Sequence, residues 1–459
     1  MTNSVTILGA GCTGPLLGTM LARRGFAVCI YERRADPRVS RPVAGRSINL
    51  ALAARGLAGL ERAGVAGAVR ELLVPMRGRM LHELDGSTRF LPYGQRPHEL
   101  LYSVSRAALN HVLLQSAQAA GVAIEFATTC TDADFAAGVL TLDDGSGRPR
   151  RQTLSESAPV IGADGAGSLL RQRMVQDGLA QAREEFLAHD YKELTIAPAP
   201  GGRLRLPGEA LHIWPRGGYM LIALPNVDGS LTATLFLARS GEPVSFASLD
   251  TPAAVEALFE RQFPDARALL PDLTEQFFAN PTGVMGTVYA APWHVGGRAL
   301  LIGDAAHAIV PFHGQGMNCA FEDCVLLDDL VGSARDWESR FAGFDRQRRE
   351  DTLAIAQMAI ENYTEMRETV REPRFQLQKQ LSLELERRYP DRFIPRYSMV
   401  MFHAEISYTE ALRRGSIQAE MLERATAHAA RLTEVDLTAL GEEIRARLPA
   451  LKPAQVSAA

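Results

Sequence analysis

The sequence is poor in cysteine, and its cysteines follow no metal-binding or disulfide pattern. There are five, none forms a CxxC pair, and an odd number does not fit a framework of paired disulfides. The ten histidines form no HExxH motif, and no GxSxG elbow for a nucleophilic serine is present. We therefore expect reduced thiols and no metal site, and the pattern disfavours a metalloenzyme or a serine hydrolase.

Long apolar runs and an excess of one charge are also missing. No uninterrupted apolar stretch reaches the ~18 residues that a membrane-spanning helix needs, and strand-like residues 5–8 follow Met1 too closely for a secretion signal. The 49 basic and 53 acidic residues leave a net charge of −4. This balance does not indicate the basic surface of a nucleic-acid-binding protein. We expect a cytoplasmic protein that binds a small molecule, with neither a membrane nor a nucleic-acid partner and with its oligomeric state open.

Apolar periodicity and turn residues predict an α/β fold with more than one core. The chain of 459 residues is longer than the ~250–300 residues at which single cores stop growing. Residues 5–32 are typical of a βαβ unit, and helical patterns follow at 49–74 and 106–119. Three strand-like segments between 211 and 237 are separated by turn sequences, which predicts antiparallel hairpins. Beyond about residue 345 the pattern is helical, with breaks at Pro373, Pro390 and Pro395.

A GxGxxG motif follows the first predicted strand. Gly9 allows a tight turn, Gly11 allows backbone to approach a pyrophosphate, and Gly14 allows the following helix to pack closely on the strand. Glu32 ends the second strand, where a carboxylate accepts hydrogen bonds from ribose hydroxyls. The carboxylate also disfavours a ribose 2′-phosphate, although two arginines follow it. The motif therefore predicts a site for FAD or NAD rather than NADP.

Two further strands end in a glycine with an aspartate one or two residues later, at Asp164 and Asp304. In this order behind the GxGxxG motif, the segments resemble the flavoprotein aromatic hydroxylases. The resemblance implies that Asp304 holds the ribityl chain of FAD and that the Asp164 segment borders the pyrophosphate. It also implies that Arg106, at the start of a helix, contacts the flavin.

A glycine-rich turn at 311–320 leads into an apolar helix. Backbone N–H groups at a helix start stabilise negative charge, here on the N1 and O2 edge of a reduced flavin. The same family uses this turn in that way, which places Gly316, Met317 and Asn318 among the cofactor-binding residues. No catalytic base stands out in the sequence, and His313 is the one candidate for proton transfer.

Several longer segments are similar to kynurenine 3-monooxygenases, namely residues 45–52, 76–80, 210–225, 312–320 and 392–399. The resemblance implies hydroxylation of L-kynurenine to 3-hydroxykynurenine through a C4a-hydroperoxyflavin. It implies bound FAD, with O₂ and a transiently bound NADPH as co-substrates; no second GxGxxG motif exists for a separate nicotinamide site. The last ~50 residues match bacterial members only loosely and lack the membrane anchor of mitochondrial ones.

The resemblance also implies a set of substrate-binding residues: Arg79, Tyr93, Asn362, Tyr397, Phe236 and Phe312. A guanidinium binds a carboxylate bidentately and a tyrosine hydroxyl adds a further hydrogen bond, so Arg79 and Tyr93 suit the amino-acid end of kynurenine. The two phenylalanines suit its aromatic ring. Two alternatives are a related flavin hydroxylase of another small aromatic acid and a flavin-binding redox sensor.

The resemblance and the patterns together predict a discontinuous Rossmann-type FAD-binding domain at 1–73, 101–178 and 290–370. An inserted antiparallel-sheet substrate domain is expected at 74–100 and 179–289. A C-terminal helical region is expected at 371–459.

Overall fold

The computed structural model describes residues 4–39, 49–155, 157–334, 336–367 and 372–451. The first half of the 45–52 segment and the C-terminal residues from 452 onward lie outside the described residues.

Nineteen strands are found in the described part of the chain. They are β1 (Ser4–Leu8), β2 (Ala27–Tyr31), β3 (Asn49–Leu52), β4 (Val74–Met76), β5 (Gly78–His82), β6 (Thr88–Pro92), β7 (Leu101–Ser105), β8 (Ala123–Glu125), β9 (Thr129–Asp134), β10 (Val139–Asp143), β11 (Arg150–Thr153), β12 (Val160–Gly162), β13 (Gln181–Ile196), β14 (Ala210–Pro215), β15 (Met220–Pro225), β16 (Leu231–Ala238), β17 (Thr282–Ala291), β18 (His294–Val295) and β19 (Ala299–Leu301).

Fifteen α-helices accompany them in the same described ranges. They are α1 (Thr13–Arg23), α2 (Ala54–Arg62), α3 (Ala66–Val69), α4 (Arg106–Ala119), α5 (Leu169–Gln176), α6 (Pro252–Gln262), α7 (Pro264–Arg267), α8 (Leu273–Ala279), α9 (Asp304–His307), α10 (Gly316–Ser333), α11 (Trp337–Arg367), α12 (Pro373–Arg388), α13 (Arg396–Phe402), α14 (Tyr408–Ala425) and α15 (Leu437–Arg447).

The predicted βαβ unit lies at the centre of a six-stranded sheet with the order β18-β19-β12-β1-β2-β8. All neighbours in this sheet are parallel except the β18–β19 pair. Ile7 and Ile30 on the two central strands are fully buried, as expected for strands covered on both faces. Because parallel strands share a direction, the residues after β1, β2, β12 and β19 meet at one edge, where such sheets bind ligands. The predicted Rossmann-type α/β fold is confirmed.

The second large sheet has seven strands in the order β17-β13-β16-β15-β14-β5-β6. The predicted hairpins are confirmed, since β14, β15 and β16 pair antiparallel in sequence. One pair differs from the expected antiparallel pattern: β14 runs parallel to β5, with Leu211 opposite Arg79. Helices α6, α7 and α8 pack on one face through a core that includes Trp214 and Phe259. The other face lines a cavity, described below.

The helical prediction for residues 49–74 is wrong at both ends, since Val74 begins β4. Residues 49–52 form β3, which pairs antiparallel with β7 so that Asn49 lies opposite Ser105 and Leu52 opposite Tyr102. The helical pattern begins only at Ala54. Tertiary pairing with β7 overrides the local apolar pattern here, and it places β3 next to the cavity.

The predicted C-terminal helical region is confirmed by α12, α13, α14 and α15. Pro373 is the first residue of α12 and Pro395 precedes α13, positions where a proline's missing N–H costs no helical hydrogen bond. Within the described residues, no helix combines the length and apolar character that crossing a membrane requires. The five cysteines are all free.

Candidate active site

A cavity of about 430 Å³ lies between the two large sheets. Its walls come from β5, β15, β16 and β17, from the turn that ends in Gly314, and from α13. Asp304 lines one part of it, and Arg79 lines another. Asp304 and all of the predicted substrate residues except Asn362 thus border one cavity.

The glycine turn after β1 has the shape that a dinucleotide needs. Gly9 has φ +101°, a conformation that L side chains rarely adopt, and a Cβ on it would collide with the backbone of Ala163. A Cβ on Gly14 would collide with the carbonyl oxygen of Gly9. A Cβ on Gly11 would meet no atom within 4 Å. Gly9 and Gly14 therefore serve the fold, whereas Gly11 leaves open space beside the backbone for a pyrophosphate.

The Glu32 carboxylate lies beside this turn. Its Oε2 accepts a hydrogen bond from Ala10 N at 2.8 Å, and its Oε1 accepts one from Arg34 N at 3.0 Å. These bonds hold the carboxylate beside the turn at the end of β2, where the ribose of a dinucleotide is bound in this fold.

Asp304, Arg106 and Cys12 converge on the same edge of the sheet. Asp304 follows Gly303, whose φ of +60° turns the chain from β19 into α9. Burial raises the pKa of the Cys12 thiol, while the positive charge of Arg106 opposes that rise and the carboxylate of Asp304 adds to it. Arg106 is exposed at the first position of α4. A cation and an acceptor are therefore available where the resemblance predicts flavin contacts.

Asp164 has a local role at the end of β12. Its Oδ2 accepts a hydrogen bond from Leu169 N at 2.8 Å, at the start of α5. Burial raises the pKa of this carboxyl group, and the hydrogen bonds from Ser168 and from backbone N–H groups only partly offset the rise. The side chain thus fixes the loop between β12 and α5, beside Gly9.

The glycine-rich turn before α10 borders the cavity and is hydrogen-bonded to β3. Gly314 adopts the left-handed conformation (φ +64°) and lines the cavity. The side chain of Asn318 is buried and fully used: Nδ2 donates to the carbonyl oxygens of Ala51 and Gly314, both at 2.8 Å, and Oδ1 accepts from Ala53 N. Asn318 can therefore contact a flavin only through its backbone, and its side chain instead ties the turn to β3.

The first turn of α10 contains the predicted flavin donors. The N–H groups of Gly316, Met317 and Asn318 precede the first hydrogen bond of the helix, which Cys319 N donates to Gln315 O. A Cβ on Gly316 would lie 3.9 Å from Asp304 Oδ1. The helix start and the predicted ribityl-binding carboxylate are therefore neighbours, and the N–H groups of this first helical turn give the corner a positive electrostatic character.

Arg79, Tyr93 and Tyr397 form a cluster in the wall of the cavity. The guanidinium carbon of Arg79 lies 4.9 Å from the ring centroid of Tyr397 and 6.0 Å from that of Tyr93, and the two rings stack at 5.7 Å. Arg79 Nε and Tyr93 Oη are buried and have no hydrogen-bond partner in the described part of the chain. Such unsatisfied polar atoms are costly, and together they can bind a carboxylate that enters the cavity.

The surroundings of Arg79, Tyr93 and Tyr397 determine the protonation state of each side chain. Burial by itself lowers the pKa of Arg79, but the hydroxyl groups of Tyr397 and Tyr93 and the carboxylate of Glu365 outweigh it and raise the pKa. Burial raises the pKa of Tyr93 far above its usual value and also raises that of Tyr397. Arg79 is therefore a cation, and both tyrosines keep the protons that they can donate to an anion.

Aromatic side chains line the cavity between these two ends. The rings of Phe236 and Phe312 lie 5.0 Å apart, and Phe312 also packs on Tyr363 at 4.3 Å. His313 stacks on Tyr397 at 5.6 Å. Burial lowers the pKa of His313 to about 3, with smaller contributions from nearby arginines. His313 is thus a neutral side chain at physiological pH and is not a source of positive charge.

Asn362 does not line this cavity. It is buried on α11, and its Nδ2 donates to the backbone oxygen of Phe312 at 2.6 Å. It borders a second cavity, of about 480 Å³, which shares the wall formed by Arg79, Tyr93, His313 and Tyr397. Asn362 therefore supports the turn that carries Phe312. The described structure shows no contact between Asn362 and the main cavity.

Two groups of residues were not predicted from the sequence. The first is Glu365, whose Oε1 lies 3.8 Å from Arg79 Nη1. The sequence signal that could have found it is its spacing of three from Asn362, since residues at i and i+3 share a helix face.

The second group comprises His307, Cys319 and Asp323, whose potential metal-ligand atoms lie within 4.8 Å of one another. Arg348 Nε donates to Asp323 Oδ1 at 2.8 Å, so a side-chain cation already neutralises this cluster.

The site fits FAD on three grounds: the open side of Gly11, the carboxylate at the end of β2, and the first-turn N–H groups of α10 beside Asp304. The chain also matches the FAD binding domain family over residues 2–219 and 248–335. Among solved structures it resembles 2-methyl-3-hydroxypyridine-5-carboxylic acid oxygenase, with a TM-score of 0.66 and 20% identity over 81% of this chain and 94% of that one. It resembles Pseudomonas aeruginosa PqsL with a TM-score of 0.64 and 20% identity over 80% and 97%. Fold and site define a flavoprotein.

Relatives with higher sequence identity place the chain in one family of flavoproteins. A kynurenine 3-monooxygenase of Xanthomonas axonopodis pv. citri (strain 306) is 49% identical over 449 residues, which is 98% of each chain. A kynurenine 3-monooxygenase of Myxococcus xanthus (strain DK1622) is 47% identical over 448 residues, 97% of this chain and 96% of that one. The chain belongs to the kynurenine 3-monooxygenase family.

Proposed function

We propose that this chain is an FAD-dependent monooxygenase that converts L-kynurenine to 3-hydroxykynurenine and consumes NADPH and O₂. The observation that carries the proposal is the arrangement of one cavity. A buried cation with two protonated tyrosines lines one part, Asp304 and the glycine-rich turn line another, and aromatic rings lie in the same walls. The relatives named kynurenine 3-monooxygenase support the choice of substrate.

When bound, FAD supplies the redox chemistry, since it accepts a hydride from NADPH and activates O₂. Gly11 gives its pyrophosphate access to the backbone, and Glu32 binds the adenosine ribose. Asp304 accepts hydrogen bonds from the ribityl hydroxyls. The N–H groups of Gly316 and Met317 stabilise negative charge on the reduced ring system.

The substrate end of the cavity selects an amino acid. Arg79 binds the kynurenine carboxylate through its planar guanidinium, and the hydroxyl groups of Tyr93 and Tyr397 donate further hydrogen bonds. The carboxylate thereby satisfies the buried Arg79 Nε and Tyr93 Oη atoms, which have no partner within the described ranges. Recognition of the carboxylate anchors one end of the substrate and directs the aniline ring toward the flavin.

The aromatic walls position the ring and keep water away from it. Phe236 and Phe312 pack on the faces and edge of the substrate ring, an arrangement in which aromatic pairs are favourable. The amino group already makes the ring electron-rich, so this hydroxylation needs no base to deprotonate the substrate. Burial lowers the pKa of His313 to about 3, which makes it a poor proton acceptor and agrees with a reaction that needs no base. The main tasks of the protein are positioning and exclusion of water.

The domain division predicted from the sequence is also part of the proposal. The ranges 74–100 and 179–289 contribute all seven strands of the second large sheet apart from the last two residues of β17, whereas the six-stranded sheet is built from the ranges assigned to FAD binding. The cytoplasmic location stays a prediction.

The purified, FAD-loaded protein tests the proposal directly. We expect NADPH oxidation to depend on L-kynurenine and the product to be 3-hydroxykynurenine by mass spectrometry. Parallel assays with NADH and with a small aromatic acid that lacks the amino-acid side chain provide controls. Product formation from the small aromatic acid but not from kynurenine would favour a related hydroxylase, and NADPH oxidation that responds to neither compound would favour a redox sensor.

A further inference from the structure

The glycine-rich turn at residues 314–318, called the flavin turn here, contacts the C-terminal helices as well as β3. We propose that Tyr408 is a positioning residue for the flavin: through Gln315 it fixes the flavin turn, so that the C-terminal helical region forms part of the flavin site. Of the proposed function, this inference needs only that FAD binds beside the turn.

Gln315 connects the flavin turn to the C-terminal helices. It immediately precedes α10 and is fully buried, with 0% of its surface exposed. Its side chain makes no cap of α10. Instead, Oε1 accepts a hydrogen bond from Tyr408 Oη at 2.9 Å, and Nε2 donates to Met401 Sδ at 3.1 Å. Tyr408 begins α14 and Met401 belongs to α13, so both side-chain partners of Gln315 come from the C-terminal region.

Tyr408 is itself held in a fixed place. Its ring is fully buried, and the guanidinium carbon of Arg55 lies 4.0 Å from the ring centroid. Arg55 also donates to the backbone oxygens of Ala404 and Ile406, in the connection between α13 and α14. Burial raises the pKa of Tyr408 well above its usual value, so its hydroxyl keeps the proton that it donates. Because Arg55 lies on α2, the start of α14 is anchored to the flavin-binding part of the molecule.

The flavin turn is therefore fixed from two sides. Asn318 binds it to Ala51 O on β3 and to Ala53 N just before α2, and Gln315 binds it to α13 and α14. The N–H groups of Gly316 and Met317 lie between these two attachments. Hydrogen bonds weaken steeply when they bend, and the field of a helix start acts over about one turn. Loss of either attachment should therefore weaken the stabilisation of negative charge on the reduced flavin.

A double-mutant cycle tests whether Tyr408 acts through Gln315. The four proteins are wild type, Tyr408→Phe, Gln315→Leu and the double variant, all loaded with FAD. Tyr408→Phe removes the hydroxyl group and keeps the ring that stacks on Arg55. Tyr389→Phe is the matched control, since Tyr389 also lies in the C-terminal region but places its hydroxyl against Gly441 on α15.

Two properties are measured: the midpoint potential of bound FAD without substrate, and the fraction of NADPH oxidation that yields hydroxylated product. We expect both single variants to shift the potential to more negative values. The fraction of unproductive NADPH oxidation should rise between about twofold and tenfold, the range expected for one lost hydrogen bond. The double variant should match the stronger single variant, since contacting residues act non-additively. Tyr389→Phe should resemble wild type.

Two outcomes would overturn the proposal. The first is a wild-type potential and product yield in Tyr408→Phe with FAD fully bound. The second is additive effects in the double variant, which would mean that Tyr408 acts elsewhere. If Tyr408→Phe is too unstable to purify, Gln315→Leu alone must still shift the potential. A wild-type protein that binds FAD but does not hydroxylate kynurenine would contradict the proposed substrate and leave the test of Tyr408 by potential intact.

Discussion

Replacing Arg79 by alanine should weaken catalysis with kynurenine and leave the FAD content unchanged. Arg79 lies on β5 with 6% of its surface exposed, and its guanidinium stacks over Tyr397 and Tyr93. A carboxylate bound here loses most of its hydration. Its charge must then be balanced by the protein, because an unpaired buried charge is strongly disfavoured.

The expected magnitude follows from the hydrogen bonds that are lost. A hydrogen bond to a charged group contributes about 1.5–3 kcal/mol, which corresponds to roughly a ten- to hundredfold decrease in kcat/KM if the contact is equally strong in the ground and transition states. Arg79→Lys keeps a positive charge and loses the planar fork, so its decrease should be smaller and lie mainly in KM. Removal of the cation from the two rings should also lower stability by about 0.5–2 kcal/mol.

Arg77 provides a matched control in the same segment. It is half-exposed and pairs with Glu209 on the surface, at 3.3 Å between Nε and Oε2. Exposed pairs contribute about 0–1 kcal/mol, and Arg77 does not line the cavity. Arg77→Ala should therefore leave kcat/KM within about twofold of wild type.

Steady-state kinetics with kynurenine and with its decarboxylated analogue separate recognition from structure. If Arg79 binds the carboxylate, Arg79→Ala should reduce kcat/KM for kynurenine much more than for the analogue. Equal losses for the two compounds would refute the reasoning, because Arg79 would then support the cavity wall and another residue would select the amino acid. Flavin absorbance of each purified variant gives the FAD content.

Three further predictions concern the cofactor and the histidine. Gly11→Val should fold normally, since a Cβ there meets no atom within 4 Å, yet purify with little FAD because the side chain fills the pyrophosphate space; full flavin occupancy would contradict the role of the turn. Asp304→Ala should lose FAD with a largely unchanged circular dichroism spectrum, and normal flavin retention would remove Asp304 from the ribityl site. Burial, with smaller contributions from Arg396 and Arg79, lowers the pKa of His313 to about 3, so the side chain is neutral at any pH well above that value. His313→Asn should therefore keep the shape of the pH profile of kcat/KM between about pH 6 and 9, and loss of an ionisation near ~6.5 would show that His313 titrates in catalysis.

Elements with strong local signals were predicted closely. Helix α4 covers residues 106–119 as expected, with the Ser105 hydroxyl accepting from Ala108 N at its start. The hairpins at β14, β15 and β16 also match, because their turn sequences restrict the backbone whatever surrounds them. Residues 49–52 were missed because a four-residue strand next to a helix has no distinct period, and its pairing with β7 is a contact with a remote segment.

The candidate site likewise contains residues that a local pattern predicts and residues that only remote contacts bring together. Gly9 and Gly14 were predictable since the conformation and close packing of one turn require glycine, and the structure shows both demands. Arg79, Tyr93 and Tyr397 have no local feature that groups them, and only the resemblance joined them in advance. Asn362 was expected to contact substrate; it lines the second cavity rather than the main one, and its contact with substrate stays a prediction.

By itself, the sequence determined the elements that act between near neighbours in the chain: the βαβ unit, the glycine turn, the hairpins and the C-terminal helices. The tertiary structure alone decided which of their side chains meet. The parallel pairing of β5 with β14 places Arg79 in the cavity wall, the packing of α13 brings Tyr397 over it, and α14 brings Tyr408 to Gln315. These contacts join remote segments, and their geometry depends on strand order and on the packing of whole helices, which no local pattern encodes.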